Sequence, residues 1–198
     1  SEDQNISCDY FLELGELVEK VTEISGEQLY DLVVMGTTGM SKSDGIFFGS
    51  NTEDVIEKVK KPILCIPENA NFSGFNKLVY GSDYLEEDKI AIQEVISFAT
   101  IFDARIDVVH VNLEDEDEKY KEFTEDLKSF IQYDKISFSH KQYDKIGEGL
   151  NRYILEEKSD LLIVFKRDLN FVKSIFSKSL TKILAFTTDK PLLVLKLL

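Results

Sequence analysis

Positive charge is scarce in this 198-residue chain: 23 Lys and Arg stand against 37 Asp and Glu, a formal net charge of −14. That deficit argues against nonspecific binding to nucleic acid or to an anionic membrane surface, since both need a basic patch. Cysteine is rarer still. Cys8 and Cys65 both fall in stretches that read as strands, and two scattered thiols are too few for a disulfide framework or a metal site. Their expected state is buried and reduced, as in a cytoplasmic protein. No apolar run approaches the ~18 residues of a membrane helix. The polar segment after Ser1 lacks the basic-then-apolar order of a secretory leader. Two familiar phosphate-binding patterns, G-x-G-x-x-G and G-x-x-x-x-G-K-[ST], are missing as well.

What is present centres on Asp31 to Asn51, DLVVMGTTGMSKSDGIFFGSN. Leu32 to Met35 is a continuous apolar run, as in a parallel strand buried on both faces. Gly36 follows at once, Gly39 comes after two more residues, and Gly49 and Ser50 after another nine. Val55, Ile56 and Val59 then recur at helical spacing. Strand, glycine-rich loop and helix together offer unpaired backbone N–H groups to an anionic phosphate. Glycine suits such a loop by admitting close approach and positive φ. Ser50 and Asn51 add polar contacts or cap the helix.

The pattern G-x2-G-x9-G-S, with VVMG before it and KPILCIP after it, resembles the nucleotide-binding loop of the ATP-binding branch of the universal stress protein family. The resemblance implies that Gly36, Thr37, Gly39, Gly49, Ser50 and Asn51 hold the phosphates of ATP, ADP or AMP, with Mg2+ an optional companion. It also implies a doubly wound, parallel five-stranded α/β sheet of the Rossmann-like, adenine nucleotide alpha hydrolase-like kind. No catalytic triad is implied.

Along the chain, residues 6–11 read as a strand and 16–28 as a helix. Residues 32–35 read as a strand, 50–60 as a helix and 63–66 as a strand opened by Pro62. Residues 69–75 carry Asn, Ser and Gly and read as a linker. Thereafter strands at 77–80, 105–111, 136–142, 161–165 and 192–196 alternate with helices at 86–102, 118–132, 147–157 and 178–187. Five strands separated by four helices predict a parallel, doubly wound sheet.

An internal repeat underlies this order. At an offset of 129, Asp31-Leu32 matches Asp160-Leu161, Ser50 matches Ser179, Lys61-Pro62 matches Lys190-Pro191 and Leu64 matches Leu193. The expected organisation is a tandem: residues 1–68 as the C-terminal part of a first unit, 69–75 as linker, and 76–198 as a complete second unit. Measured against the second, the first unit lacks roughly 80–90 residues of an opening strand–helix–strand–helix portion. Either those residues lie outside this chain or the partial unit completes its sheet against another.

The second unit matches the family differently. Asp83, ending its first strand, and Val109, on its second, correspond to residues lining the family's adenine pocket. Where the first unit has Gly36, Gly39 and Gly49, the second has Phe165, Asp168 and Lys178. Bulk at Phe165 and negative charge at Asp168 oppose a triphosphate, so this pocket is expected to be vestigial. Lys166, Arg167, Lys173 and Lys178 then make a solvated loop or, at most, hold a lone anion. His110 is expected as a satisfied core or rim residue and His140 as an exposed strand residue. The acidic run Glu114 to Glu118 is expected to solvate a loop before a helix rather than to bind metal.

The reading is a cytoplasmic, nucleotide-binding stress-response regulator or sensor. Without a general base beside the loop, ATP hydrolysis is expected to be slow or absent. The apolar strands ILCI and LLVL are expected at the sheet edge, where the repeats pair with each other and two chains form a homodimer. The alternative is an interaction scaffold that binds no nucleotide. An adenylate-forming enzyme is unsupported, because Gly81 to Tyr84 does not carry a Ser-Gly-Gly-x-Asp-Ser loop.

Overall fold

The computed structural model describes residues 7–26, 30–37, 50–112, 117–144, 146–166 and 190–196. In chain order the elements are α1 (Leu17–Gly26), β1 (Val33–Gly36), α2 (Ser50–Lys58), β2 (Ile63–Ile66), β3 (Lys77–Gly81) and α3 (Glu86–Phe102). There follow β4 (Arg105–Asn112), α4 (Asp117–Phe130), β5 (Ile136–Gln142), α5 (Ile146–Glu156), β6 (Leu161–Lys166) and β7 (Leu192–Lys196). The strands join in one seven-stranded sheet ordered β1-β2-β7-β6-β3-β4-β5. Every neighbouring pair is parallel except β2 and β7, which run antiparallel. The expected doubly wound five-stranded sheet is therefore present as β7-β6-β3-β4-β5, and β1 and β2 extend it.

Helices cover both faces, so the inner strands must be apolar on both sides, and they are. On one face Val18 of α1, Val55 and Ile56 of α2, and Leu150 and Ile154 of α5 pack with Val79, Val109, Leu162 and Val194 of the sheet. On the other, Ile92, Val95 and Ala99 of α3 and Phe123 and Leu127 of α4 pack with Tyr80, Val108, Ile163 and Leu193. Side chains such as Ile92 and Val95, with no exposure, contribute about 1.5–3 kcal/mol each by burial. The periodicity read for the helix at 86–102 is the stripe that does this.

The antiparallel joint overturns one expectation. ILCI and LLVL were expected at the sheet edge; as β2 and β7 they stand second and third in the seven-strand order, hydrogen-bonded on both sides. Their apolar character answers to burial by α2 and α3, and a homodimer has no free edge to use there. Leu64 lies opposite Leu193, the pair that the offset of 129 equates.

Residues 7–11 also depart from expectation. They form no strand, and Cys8 is exposed rather than buried. Tyr10 and Leu12 are 94% and 98% exposed. The same offset maps 7–13 onto β5, which is held by the ladder of β4. Among the described residues no strand pairs with β1 on the side away from β2, so 7–13 finds no ladder to join. The expected helix at 178–187 lies outside the described residues.

Candidate functional site

β1 and α2 frame the first candidate site. Gly36 ends β1, paired in register with Ile66, and the Thr37 N–H continues the ladder by donating to the Ile66 carbonyl at 3.1 Å. A Cβ built on Gly36 would meet nothing within 4 Å, and its backbone is not left-handed. Close approach from outside, rather than local strain, is therefore what glycine permits at this position. Thr37 is buried, and Asn51 is exposed in the first turn of α2, which opens at Ser50. Gly39 and Gly49 lie outside the described residues.

The far end of α2 is fixed by two lysines, of which sequence reasoning misjudged one and passed over the other. Lys166, expected in a solvated loop or on an anion, is 8% exposed. Its Nζ donates to the carbonyls of Ile56 and Glu57 at 2.8 and 2.9 Å. Lys196 Nζ donates to the Ile56 carbonyl at 2.7 Å and to that of Val59. Two ammoniums thus satisfy the carbonyls left open at a helix C-terminus and face its negative dipole end. Each lysine ends a parallel strand, which carries its head past the sheet to α2. Burial, and after it the positive charge of neighbouring Lys166, pull Lys196 down to about 7. Cys65, also close to Lys196, is pushed up to about 12 by burial, so it is no ready thiolate nucleophile. Phe165, matched by offset to Gly36, is buried in the core of the α3/α4 face. Arg167, Asp168, Lys173 and Lys178 lie outside the described residues.

At the carboxyl ends of β3 and β4 a second group assembles around Asp88. This carboxylate, fully buried in the first turn of α3, accepts from Tyr80 Oη at 2.5 Å and Ser82 Oγ at 2.9 Å. It also accepts the N–H groups of Asp83 and Leu85, both at 3.0 Å. Four donors and the positive helix end offset the cost of a buried charge. Only the acid-rich first turn (Glu86, Glu87, Asp88) hints at this role in sequence; which of three acids turns inward depends on the fold.

Asp88 thereby fixes the loop after β3. Asp83, half-buried, sits in that loop, while Val109 packs without exposure on the α1/α2/α5 face. Val109 meets the loop through its carbonyl, which accepts from the Ser82 N–H at 2.9 Å. His110 faces the other way. Its Nδ1 lies 2.7 Å from the Ser82 carbonyl, and its ring stacks on Tyr84 with centroids 3.9 Å apart and planes 23° apart. The Ser82 hydroxyl is engaged with Asp88 and with the Tyr84 N–H. Ser82, Asp83 and His110 thus serve loop architecture rather than a nucleophile–base relay. His140, expected exposed, is half-buried and hydrogen-bonded to Asn112 Oδ1 at 2.9 Å.

Among the described residues no group of three or more His, Cys, Asp or Glu could hold a metal ion, and residues 113–116 of the acidic run are not described. No described helix is long and apolar enough to cross a membrane.

An open α/β sheet whose winding reverses between β3 and β6, with candidate residues at the strands' carboxyl ends, defines a doubly wound fold. Residues 2–67 match the universal stress protein family model. Its fold is similar to that of a universal stress protein from Archaeoglobus fulgidus, with TM-score 0.70 and 16% identity. The match covers 90% of this chain and 64% of that one, so the chain spans less than two thirds of that relative's length. A putative universal stress protein from Pseudomonas aeruginosa matches at TM-score 0.62 and 13% identity, over 92% of this chain and 69% of that one. A functionally unknown protein from the same species matches at 0.63 and 11%, with the same coverage. No curated protein matches the sequence significantly.

Proposed function

We propose that this chain is a universal stress protein and an adenine-nucleotide-binding regulator or sensor that grips ATP phosphates through Gly36, Thr37, Gly39, Gly49, Ser50 and Asn51. The observation that carries the reading is the open space over Gly36 at the carboxyl end of β1, opposite the start of α2. A phosphate there meets backbone N–H groups and the positive helix end. The C-terminal part acts as structure: Phe165 fills the place of Gly36, and Lys166 is spent on α2. Asp83 and Val109 are then remnants of an adenine pocket. The Leu64–Leu193 pairing supports the view that the two repeats face each other across a dyad. On this reading the chain works in the cytoplasm, with Mg2+ accompanying the nucleotide, and is no enzyme.

One observation favours the rival reading, a scaffold without nucleotide: Tyr10, Phe11, Leu12 and Leu14 stand exposed together in sequence, as in a segment awaiting a partner. Isothermal titration of ATP into the chain decides between them. Saturable binding that a Gly39→Asp substitution weakens at least tenfold supports the nucleotide reading. Heatless titration, or affinity indifferent to the substitution, leaves the scaffold.

A further inference from the structure

We propose that α5 carries, on its flank beside Tyr143, a binding site for a small zwitterion with an apolar side chain, of the class of free α-amino acids. The site shares no residue with the nucleotide reading above and stands without it.

The first observation is a cavity of about 460 Å³ lined by Tyr143, Glu148, Asn151, Arg152 and Leu155. Its volume falls toward the small end of the ~300–1,000 Å³ typical of small-molecule sites. Four of the five residues follow i, i+3, i+4 and i+7 on α5, which places them on one stripe of the helix. Tyr143, one residue beyond β5, adds an aromatic wall.

The second observation lies on that stripe. Glu148, Arg152 and Leu155 are exposed, as an outward flank requires, yet Asn151 among them is only 8% exposed. Its Oδ1 is buried and, among the described residues, has no hydrogen-bond partner. A buried acceptor without a donor lowers stability, and native structures rarely leave one unmet. A half-turn of the amide exchanges its oxygen and nitrogen, so either can be offered to a ligand in the cavity that Asn151 lines. A bound N–H group would meet the acceptor.

The charged groups set the ligand class. Glu148 and Arg152 stand four residues apart, so the rim carries one charge of each sign. Arg152 pairs through Nε with Glu156 at 3.3 Å, and its guanidinium lies 5.9 Å over the Tyr143 ring. Those contacts hold the head beside the cavity, and its fork of terminal nitrogens suits a carboxylate. A carboxylate side chain has about four lone-pair positions, so Glu148 can accept from a ligand in addition to its own partners. A simple anion would meet Glu148 and the field of a chain of net charge −14, and a simple cation would meet Arg152. A zwitterion escapes both objections. Its carboxylate pairs with Arg152, its ammonium with Glu148 and Asn151 Oδ1, and its side chain lies against Leu155 and Tyr143.

L-Leucine is the probe, titrated by NMR into the full chain. The controls are its two half-ligands, 4-methylpentanoate without the ammonium and 3-methylbutylamine without the carboxylate. Leucine should bind saturably and at least tenfold tighter than either, with the largest shifts at Tyr143, Asn151, Arg152 and Leu155. Arg152→Gln should abolish the preference for leucine over the amine and keep the preference over the carboxylate; Glu148→Gln should do the converse. Asn151→Leu should weaken leucine at least tenfold. If that buried change unfolds the chain, the two exposed variants decide alone. Absence of leucine binding, half-ligands that bind as well, shifts elsewhere, or preferences that neither exposed variant alters would each overturn the proposal.

Discussion

Lys196 shows how far one residue's chemistry can be carried by its surroundings. Its stem is partly buried and its head donates to carbonyls of α2 beside a second ammonium. In the folded chain its value is pulled down to about 7, whereas unfolded it returns to the ordinary range near ~10.4. Between those values the unfolded state binds the extra proton, so this group's contribution makes stability rise with pH across that window. Urea midpoints for wild type and Lys196→Met, taken at pH 6 and pH 9, isolate it. Relative to the methionine variant, wild type should gain stability on going to pH 9; a gap that does not move would refute the assignment.

Neither this lysine nor Tyr84 was legible beforehand. A lysine closing a strand and a tyrosine between polar loop residues both look solvated in sequence. Their burial is decided by α2 and by Asp88, far away or turned by the fold. Glycine and apolar runs speak more directly, because their meaning is local: Gly36 does end a strand, and Leu161 to Ile163 are buried as their composition requires.

At the scale of elements, the helices illustrate what spacing can and cannot convey. α5 carries two glycines, Gly147 and Gly149, inside a helix, where each is a poor helix former. Packing explains the second. A Cβ on Gly149 would lie 2.5 Å from Tyr143 Cδ2 and 2.6 Å from Val111 Cγ1, and Val111 is core. Gly149→Ala should therefore cost about 1–3 kcal/mol by overpacking, despite alanine's better helix propensity. Gly36→Ala, with nothing within 4 Å of the added methyl, should change stability by less than about 0.5 kcal/mol. Chemical denaturation of the two variants side by side tests the contrast, and equal effects would contradict it. Residues 6–11 mark the opposite limit. Their apolar content suits a strand, but a strand also needs a neighbour's backbone, and composition does not reveal whether one is present.

For the molecule as a whole, the informative feature is that one sheet runs unbroken across the antiparallel joint. The antiparallel contact of β2 with β7 is continuous with parallel ladders on each side. Both cores draw on residues from either side of the joint: Ile56 and Leu162 share one, Leu64 and Leu161 the other. Urea unfolding should accordingly be a single transition, with tyrosine fluorescence and far-UV circular dichroism coincident. Two resolved midpoints would mean that the two sides of the joint melt separately. Parallel winding of the C-terminal part followed from its alternation of strands and helices. The pairing of ILCI with LLVL was expected from the family resemblance; their place inside the sheet was not, because an apolar strand reads alike whether it has a neighbour on one side or on two.

That reversal of direction has a geometric corollary. β1 and β2 point their carboxyl ends one way and β3 to β7 the other, so Gly36 and His110 open onto opposite rims of a single plate. Whatever is held at one rim is out of touch with the other. The two rims are joined through the β2–β7 ladder, and Lys166 and Lys196 tie the foot of α2 to the strands on its far side.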